Sequence, residues 1–173
     1  MNNFTKCLIK GDAGEVIIDN LLKEMGYYVY SPPDGKNHPI DRLCLKSYEV
    51  NAYDVKTKPR RNDYRDSGYD YIDHCKYIKV NDSVKVSIFF VDTLTKSIYW
   101  AKLDDLLDIS ESFDYPRRKV TYPSREWAYN HETGCKVEVI YFPLSAFRTI
   151  RSLTEDEIEA INGLPEKLKE AKK

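Results

Sequence analysis

The sequence predicts a mixed α/β domain, a central mixed sheet with flanking helices, and three observations carry that prediction. Apolar residues recur at helical spacing near the N-terminus, two alternating runs lie close enough to form a hairpin, and Val84 to Val91 is a nearly continuous apolar run. A chain of 173 residues suits one compact domain rather than two cores. With 42% hydrophobic residues and 14 tyrosines spread along it, most of the chain has something to bury.

The first helix is read from Gly11 or Asp12 to Met25, with Asp12 as its N-cap and Gly26 as its stop, because Val16, Ile17, Leu21, Leu22 and Met25 follow a helical period. Positions 15, 18, 22 and 25 form one stripe, so Glu15 extends an apolar face instead of pointing to solvent. Tyr27 to Tyr30 is aromatic and β-branched, a short strand ended by the turn residues Ser31-Pro32-Pro33-Asp34-Gly35. Ile40 to Lys46 and Glu49 to Lys56 then form an antiparallel hairpin around Ser47-Tyr48. In that register Lys46 faces Glu49, Leu45 faces Val50, Leu43 faces Ala52 and Asp41 faces Asp54. Strand alternation puts Asp41, Leu43 and Leu45 on one face with Val50, Ala52, Asp54 and Lys56, apolar near the turn and charged at the open end.

The polar stretch Pro59 to Gly68 is expected to stay mobile until a ligand binds, and a helix from Tyr69 or Asp70 to Lys79 follows. Val84 to Val91 is the central strand, covered on both sides, and Ser97 to Lys102 returns as its neighbour. Leu103 to Ile109 is a short helix and Val137 to Phe142 a late strand. Thr154 to Lys172 is a last helix opened by a Thr154/Glu157 capping box. This divides the chain into a domain over 1–150, its core about 11–102, and a C-terminal helix over 151–173.

A net charge of −1 means that any affinity for nucleic acid must come from local clusters, here Lys56-Thr57-Lys58-Pro59-Arg60-Arg61 and Arg117-Arg118-Lys119. The four cysteines form no Cys-x-x-Cys pair, which argues against a zinc ribbon and a disulfide framework. His38, His74, Cys44 and Cys75 have no zinc-ligand spacing. No segment reaches the roughly 20 apolar residues of a membrane span, and the N-terminus lacks an apolar export run, so no membrane partner and a cytoplasmic location are expected.

The charged end of the hairpin is where chemistry can reside. Hydrolysis of a phosphodiester needs a divalent cation, and Mg²⁺ takes hard oxygen ligands, usually one or two carboxylates with waters. Asp41 and Asp54, directly opposed on adjacent strands, could both reach one ion. Lys56 on the same face could orient water or steady phosphate charge, and burial could lower its pKa towards a general-base role. On the helix after the polar stretch, Lys76 and Lys79 could touch phosphate.

His38-Pro39-Ile40-Asp41 followed by Asp54-Val55-Lys56 resembles the Pro-Asp and Asp/Glu-x-Lys motifs of the PD-(D/E)XK nuclease superfamily, which includes restriction-endonuclease-like and Holliday-junction-resolvase-like proteins. Gly14-Glu15 is similar to the Glu-bearing helix that often precedes the hairpin there, and Asp73 and Tyr77 stand where some members carry Gln and Tyr. Ile40, between Pro39 and Asp41, departs from the motif. The likeness covers residues 11 to about 92. It implies a restriction-endonuclease-like core and a Mg²⁺- or Mn²⁺-dependent nuclease, with Asp41, Asp54 and Glu15 on the metal and Lys56 assisting the water. DNA is the expected nucleic-acid partner, endonucleolytic cutting the expected activity, and a homodimer one possible assembly. Lys58, Arg60 and Arg61 beside the motif would grip the backbone. Two rivals keep other classes open: a nucleic-acid-binding or assembly protein that retains the fold without cutting, and a protein-interaction module using Tyr115 to Phe147.

Overall fold

In the computed structural model, which describes residues 3–32, 38–130 and 134–163, the elements run in this order. Helix α1 (Asn3–Glu24) leads into β1 (Tyr28–Tyr30), β2 (Arg42–Lys46), β3 (Glu49–Lys58) and β4 (Asp66–Asp70). Then come α2 (Tyr71–Asn81), β5 (Lys85–Asp92), β6 (Ser97–Lys102) and α3 (Leu103–Leu107). Strands β7 (Glu111–Asp114), β8 (Lys119–Tyr122), β9 (Ser124–Asn130), β10 (Cys135–Pro143) and β11 (Arg148–Ser152) follow, and α4 (Glu155–Ile161) is last. The central sheet has the order β1-β2-β3-β5-β6-β11. Only β3 and β5 pair in parallel within it. The chain is thus a mixed central sheet with flanking helices, the fold class that the sequence predicts.

Helix α1 begins well before Asp12, which lies inside it rather than at its cap. Thr5 to Lys10 contains no Gly or Pro to stop a helix, so the turn preceding the apolar stripe is helical as well. Its end is as expected: Gly26 has φ +83°, Gly26 N–H donates to Lys23 O and Tyr27 N–H to Leu22 O, both at 2.9 Å. This pair of bonds satisfies the terminal carbonyls and needs a left-handed residue where Gly26 stands. Gly14 has a different reason. A Cβ there would fall 1.7 Å from Thr57 Oγ1, so the glycine lets α1 lie directly on β3.

The hairpin has the register read from the sequence, with Lys46 opposite Glu49, Leu45 opposite Val50 and Leu43 opposite Ala52. Ser47 and Tyr48 take φ of 51° and 69°, the left-handed pair of a two-residue turn whose twist matches its strands. Two cores pack on the two faces of the central sheet. On one, Ile17, Ile18, Leu21 and Leu22 of α1 meet Tyr53, Val55, Phe89 and Val91, joined by Ala160 and Ile161 of α4. On the other, Ala52, Ile88 and Phe90 meet Tyr77 of α2, Leu103 and Leu106 of α3, and Tyr69, Ile140 and Phe142.

Those last three residues belong to a second sheet, β4-β10-β9, that the sequence reading lacks. The stretch expected to be mobile ends in β4, where Asp66, Ser67 and Tyr69 are buried. Gly68 is closed in on by β10, since a Cβ would come within 2.2 Å of Ile140 O. Asp66 is fixed by Arg61, whose Nε donates at 2.7 Å, and by the Tyr122 hydroxyl at 2.5 Å. Helix α2 accordingly starts at Tyr71, and α3 ends two residues short of Ile109.

Residue 150 falls inside β11, which pairs with β6. The Thr154/Glu157 capping box forms, with Glu157 N–H on Thr154 Oγ1 at 3.3 Å and Thr154 N–H on Glu157 Oε2 at 2.8 Å. The last helix stops at Ile161, however, with Gly163 at φ +91°. Its expected continuation over 164–172 lies outside the described residues, as does the 33–35 part of the turn after β1.

Candidate active site

Alternation along β3 turns Asp54, Lys56 and Lys58 to the face that α2 covers, while Thr57 points the other way, to α1. Asp54 is 5% exposed, because parallel pairing with Ile88 sets it at the sheet's centre. Lys56 Nζ lies 3.0 Å from Asp54 Oδ2 and 3.2 Å from Asp73 Oδ2 on α2. Asp73 also holds Lys76 at 3.0 Å. Burial alone would lower the Lys56 pKa, but Asp54, Asp73 and Asp41 outweigh it and raise the pKa above the usual lysine value. The ammonium therefore stays charged, which corrects the expectation of a lysine drifting towards a general base.

Burial, with repulsion from Asp41, pushes Asp54 up to about 6 against the opposing pull of Lys56. Lys56 Nζ and the Tyr77 hydroxyl both stand beside this buried carboxylate and hold its pKa down against burial. The Tyr77 hydroxyl is itself buried, and burial together with the Asp54 charge raises its pKa.

Asp41 reaches the same place by a different route from the one expected. The strand ladder ends at Arg42 opposite Tyr53, and Ile40 turns into the core under α2. Asp41 N–H still donates to Tyr53 O at 3.1 Å. Its Oδ2 accepts the Val55 N–H at 2.7 Å, so a carboxylate takes the place of the next backbone acceptor. Burial raises its pKa, opposed by that hydrogen bond and reinforced by the charge of Glu15.

Glu15 approaches from α1, on the opposite side of the sheet. Its Oε2 lies 2.8 Å from Arg42 Nη2, and burial raises its pKa against the attraction of that guanidinium. Arg42 also reaches Asp19 Oδ2 at 3.2 Å, and Asp19 Oδ1 accepts the Tyr53 hydroxyl at 2.6 Å. This buttress of Arg42, Asp19 and Tyr53 was missed by the sequence reading. Its signal was present: Asp19 follows Glu15 by one helical turn, and Arg42 falls opposite Tyr53 in the predicted register.

The basic run divides. Lys58 enters none of the ion pairs of the site, and burial together with the Lys56 charge lowers it to about 8. Arg60 is anchored through its backbone N–H to Asp92 Oδ1 at 3.2 Å, and its buried Nε has no partner. Arg61 turns inward, bonded to Asp66, 3.0 Å from Glu126 Oε2, and stacked 3.8 Å from the centroid of the Tyr141 ring. Its guanidinium is committed to the fold, so the expected backbone grip of Arg61 is withdrawn.

Among the described residues no group of three or more His, Cys, Asp or Glu stands ready to hold a metal ion. The chemistry of the donors nonetheless suits a hard cation. Asp54 offers a buried carboxylate whose pKa burial has raised, Asp41 is its carboxylate neighbour, and Mg²⁺ commonly takes one or two carboxylates and fills its remaining positions with water and substrate oxygens.

Neither a family model nor a curated protein matches the sequence. Among solved structures the chain is similar to Hjc from Archaeoglobus fulgidus, a Holliday junction resolvase from an archaeal hyperthermophile. The TM-score is 0.45 at 9% identity, over 65% of this chain and 88% of that one.

Proposed function

We propose that the chain is a metal-dependent nuclease that hydrolyses phosphodiester bonds in DNA as an endonuclease. The observation that carries this reading is the buried Asp54 of β3, with Lys56 Nζ 3.0 Å from its Oδ2 and Asp41, bonded to the Val55 N–H, as its carboxylate neighbour. Asp41 and Asp54 would hold Mg²⁺ or Mn²⁺, which supplies charge neutralisation at the phosphate and acidifies the attacking water. Lys56, kept charged by its anionic neighbours, orients that water and steadies negative charge on the phosphate. Lys58 and Arg60 grip the backbone next to the cut without reading sequence. Glu15 adds a ligand or a water contact only after Arg42 is drawn away. The reading places the protein in the cytoplasm; no helix among the described residues is long and apolar enough to cross a membrane.

The Glu15–Arg42 pair favours a second reading, a protein that binds nucleic acid on this fold without cutting, because it neutralises one of the three carboxylates. The two part on metal binding. In a crystal soaked in Mn²⁺, anomalous density between Asp41 and Asp54 is expected, and it should vanish in Asp54→Asn. A soaked crystal with no ion there would leave the second reading.

A further inference from the structure

Exposed aromatic rings line one strand of the second sheet. Arg125, Trp127 and Tyr129 alternate onto one face of β9, the outer strand of the second sheet. Trp127 is 68% exposed and Tyr129 55%. At the inner end the Arg125 guanidinium lies 3.6 Å from the centroid of the Tyr71 ring, with Nη2 2.8 Å from Glu138 Oε1. Tyr71 opens α2, two residues before the Asp73 that holds Lys56. Arg125 thus caps the Tyr71 ring at the start of α2, and Trp127 and Tyr129 continue outward from it along β9.

The fold gains little from the exposed Trp127. A tryptophan two-thirds exposed contributes only a small part of its transfer free energy to stability. An outer strand is normally blunted with charge, yet this one displays two rings. Alternate residues of a strand repeat at roughly 6.8 Å, about twice the 3.4 Å step of stacked bases. That spacing suits bases drawn apart, each able to lie on a ring.

We infer that Trp127 and Tyr129, with Arg125 at their inner end, form a stacking track for the unpaired bases of single-stranded nucleic acid on the side of the second sheet that faces α2. Binding by the track does not rest on the nuclease reading. Arg125 and Lys136, with Glu138 between them, leave one net positive charge on this face, which complements a phosphate backbone weakly. Stacking therefore supplies the sequence-tolerant share of the affinity, and the salt dependence falls to the phosphate contacts of Lys58 and Arg60. A duplex, its bases paired and stacked, offers the track no free faces.

The test uses Asp54→Asn protein, so that binding is observed without cutting, titrated with oligothymidylate of about a dozen nucleotides, within the span of a single-strand site. Binding should quench the tryptophan emission. Adding Trp127→Ala should abolish the quench although Trp100 remains, and should weaken oligothymidylate binding about tenfold or more, by nearly the same factor at low and high salt. Blunt duplex should bind as before, and Trp127→Phe should restore most of the affinity. Because the side chain is exposed, the melting temperature should not move, and Tyr129→Ala should give a similar loss. Unchanged oligothymidylate binding in both alanine variants would overturn the track. So would an equal loss for duplex, or a change in sedimentation in place of a change in binding, which would assign the face to a protein partner. Wild-type protein that cuts nothing yet binds oligothymidylate through Trp127 would end the nuclease reading and keep the track.

Discussion

Lys56 Nζ stands 3.0 Å from Asp54 Oδ2, so an ammonium with a raised pKa faces a carboxylate that burial has pushed up to about 6. Attraction has only partly offset desolvation of the acid. The metal-free site stores charge it would be more stable without, a state suited to accepting a cation.

The first prediction follows from the sign of that shift. An acid whose pKa is higher in the folded state binds its proton more tightly there, so its contribution is most favourable below the unfolded value near 3.8 and is lost as pH rises through about 6. Asp54→Asn removes the penalty of ionisation. The variant should match or exceed wild type above pH 7, by up to about 3 kcal/mol, and the difference should shrink towards pH 4. Urea unfolding of both proteins between pH 4 and 8 measures it; a wild type more stable than Asp54→Asn at pH 8 would contradict it.

Lys56 should behave in the opposite way. Read from the sequence alone it is a functional lysine that folding could spare, but it bridges Asp54 on β3 and Asp73 on α2. Lys56→Met leaves both carboxylates without that cation and should cost about 3 kcal/mol, the low end for a broken buried pair because Asp73 is partly solvated. Adding Asp54→Asn to the Lys56→Met protein should recover much of the loss. Losses that simply add, in a double-mutant cycle, would mean that the pair is not coupled.

The basic run should separate in the same manner. Arg61→Ala leaves the fully buried Asp66 without its ion pair and should lower stability by about 3 to 5 kcal/mol. Lys58→Ala, which removes a buried ammonium, and Arg60→Ala should not lower the melting temperature, and each should reduce the log-log salt slope of DNA binding by about 1. Salt titrations beside melting curves decide the matter, and an Arg61→Ala protein that melts like wild type would refute the division.

The hairpin was legible because its pattern is local: a period of two on both runs and a two-residue gap fix one register, and with it the side of β3 that carries Asp54 and Lys56. The last step was not legible. Asp41 leaves the ladder because Ile40 is drawn into the core beneath α2, a pull from residues distant in sequence. The second sheet was invisible for a similar reason. Asp66–Asp70 contains no apolar alternation, and it becomes a strand only when β10, some 70 residues on, pairs with it and Arg61 closes on Asp66. In β9 one face carries Arg125, Trp127 and Tyr129 and the other Ser124, Glu126 and Ala128, so neither reads as a core face. Strand β11, Arg-Thr-Ile-Arg-Ser, is too polar to mark itself as the sheet's edge.

The central claim is that Asp41, Asp54 and Lys56 cut phosphodiester bonds with a divalent cation. Cleavage of plasmid, linear duplex and single-stranded DNA should be measured with Mg²⁺ or Mn²⁺ and with a chelator, using wild type, Asp41→Asn, Asp54→Asn and Lys56→Met proteins whose melting curves are recorded alongside. The account predicts metal-dependent cutting by wild type that the chelator abolishes, and loss of at least about a hundredfold, some 2.7 kcal/mol of transition-state stabilisation, in Asp54→Asn while that protein melts no lower than wild type. Cutting by Asp54→Asn at the wild-type rate, or wild-type protein that cuts none of these substrates with either metal, would contradict it.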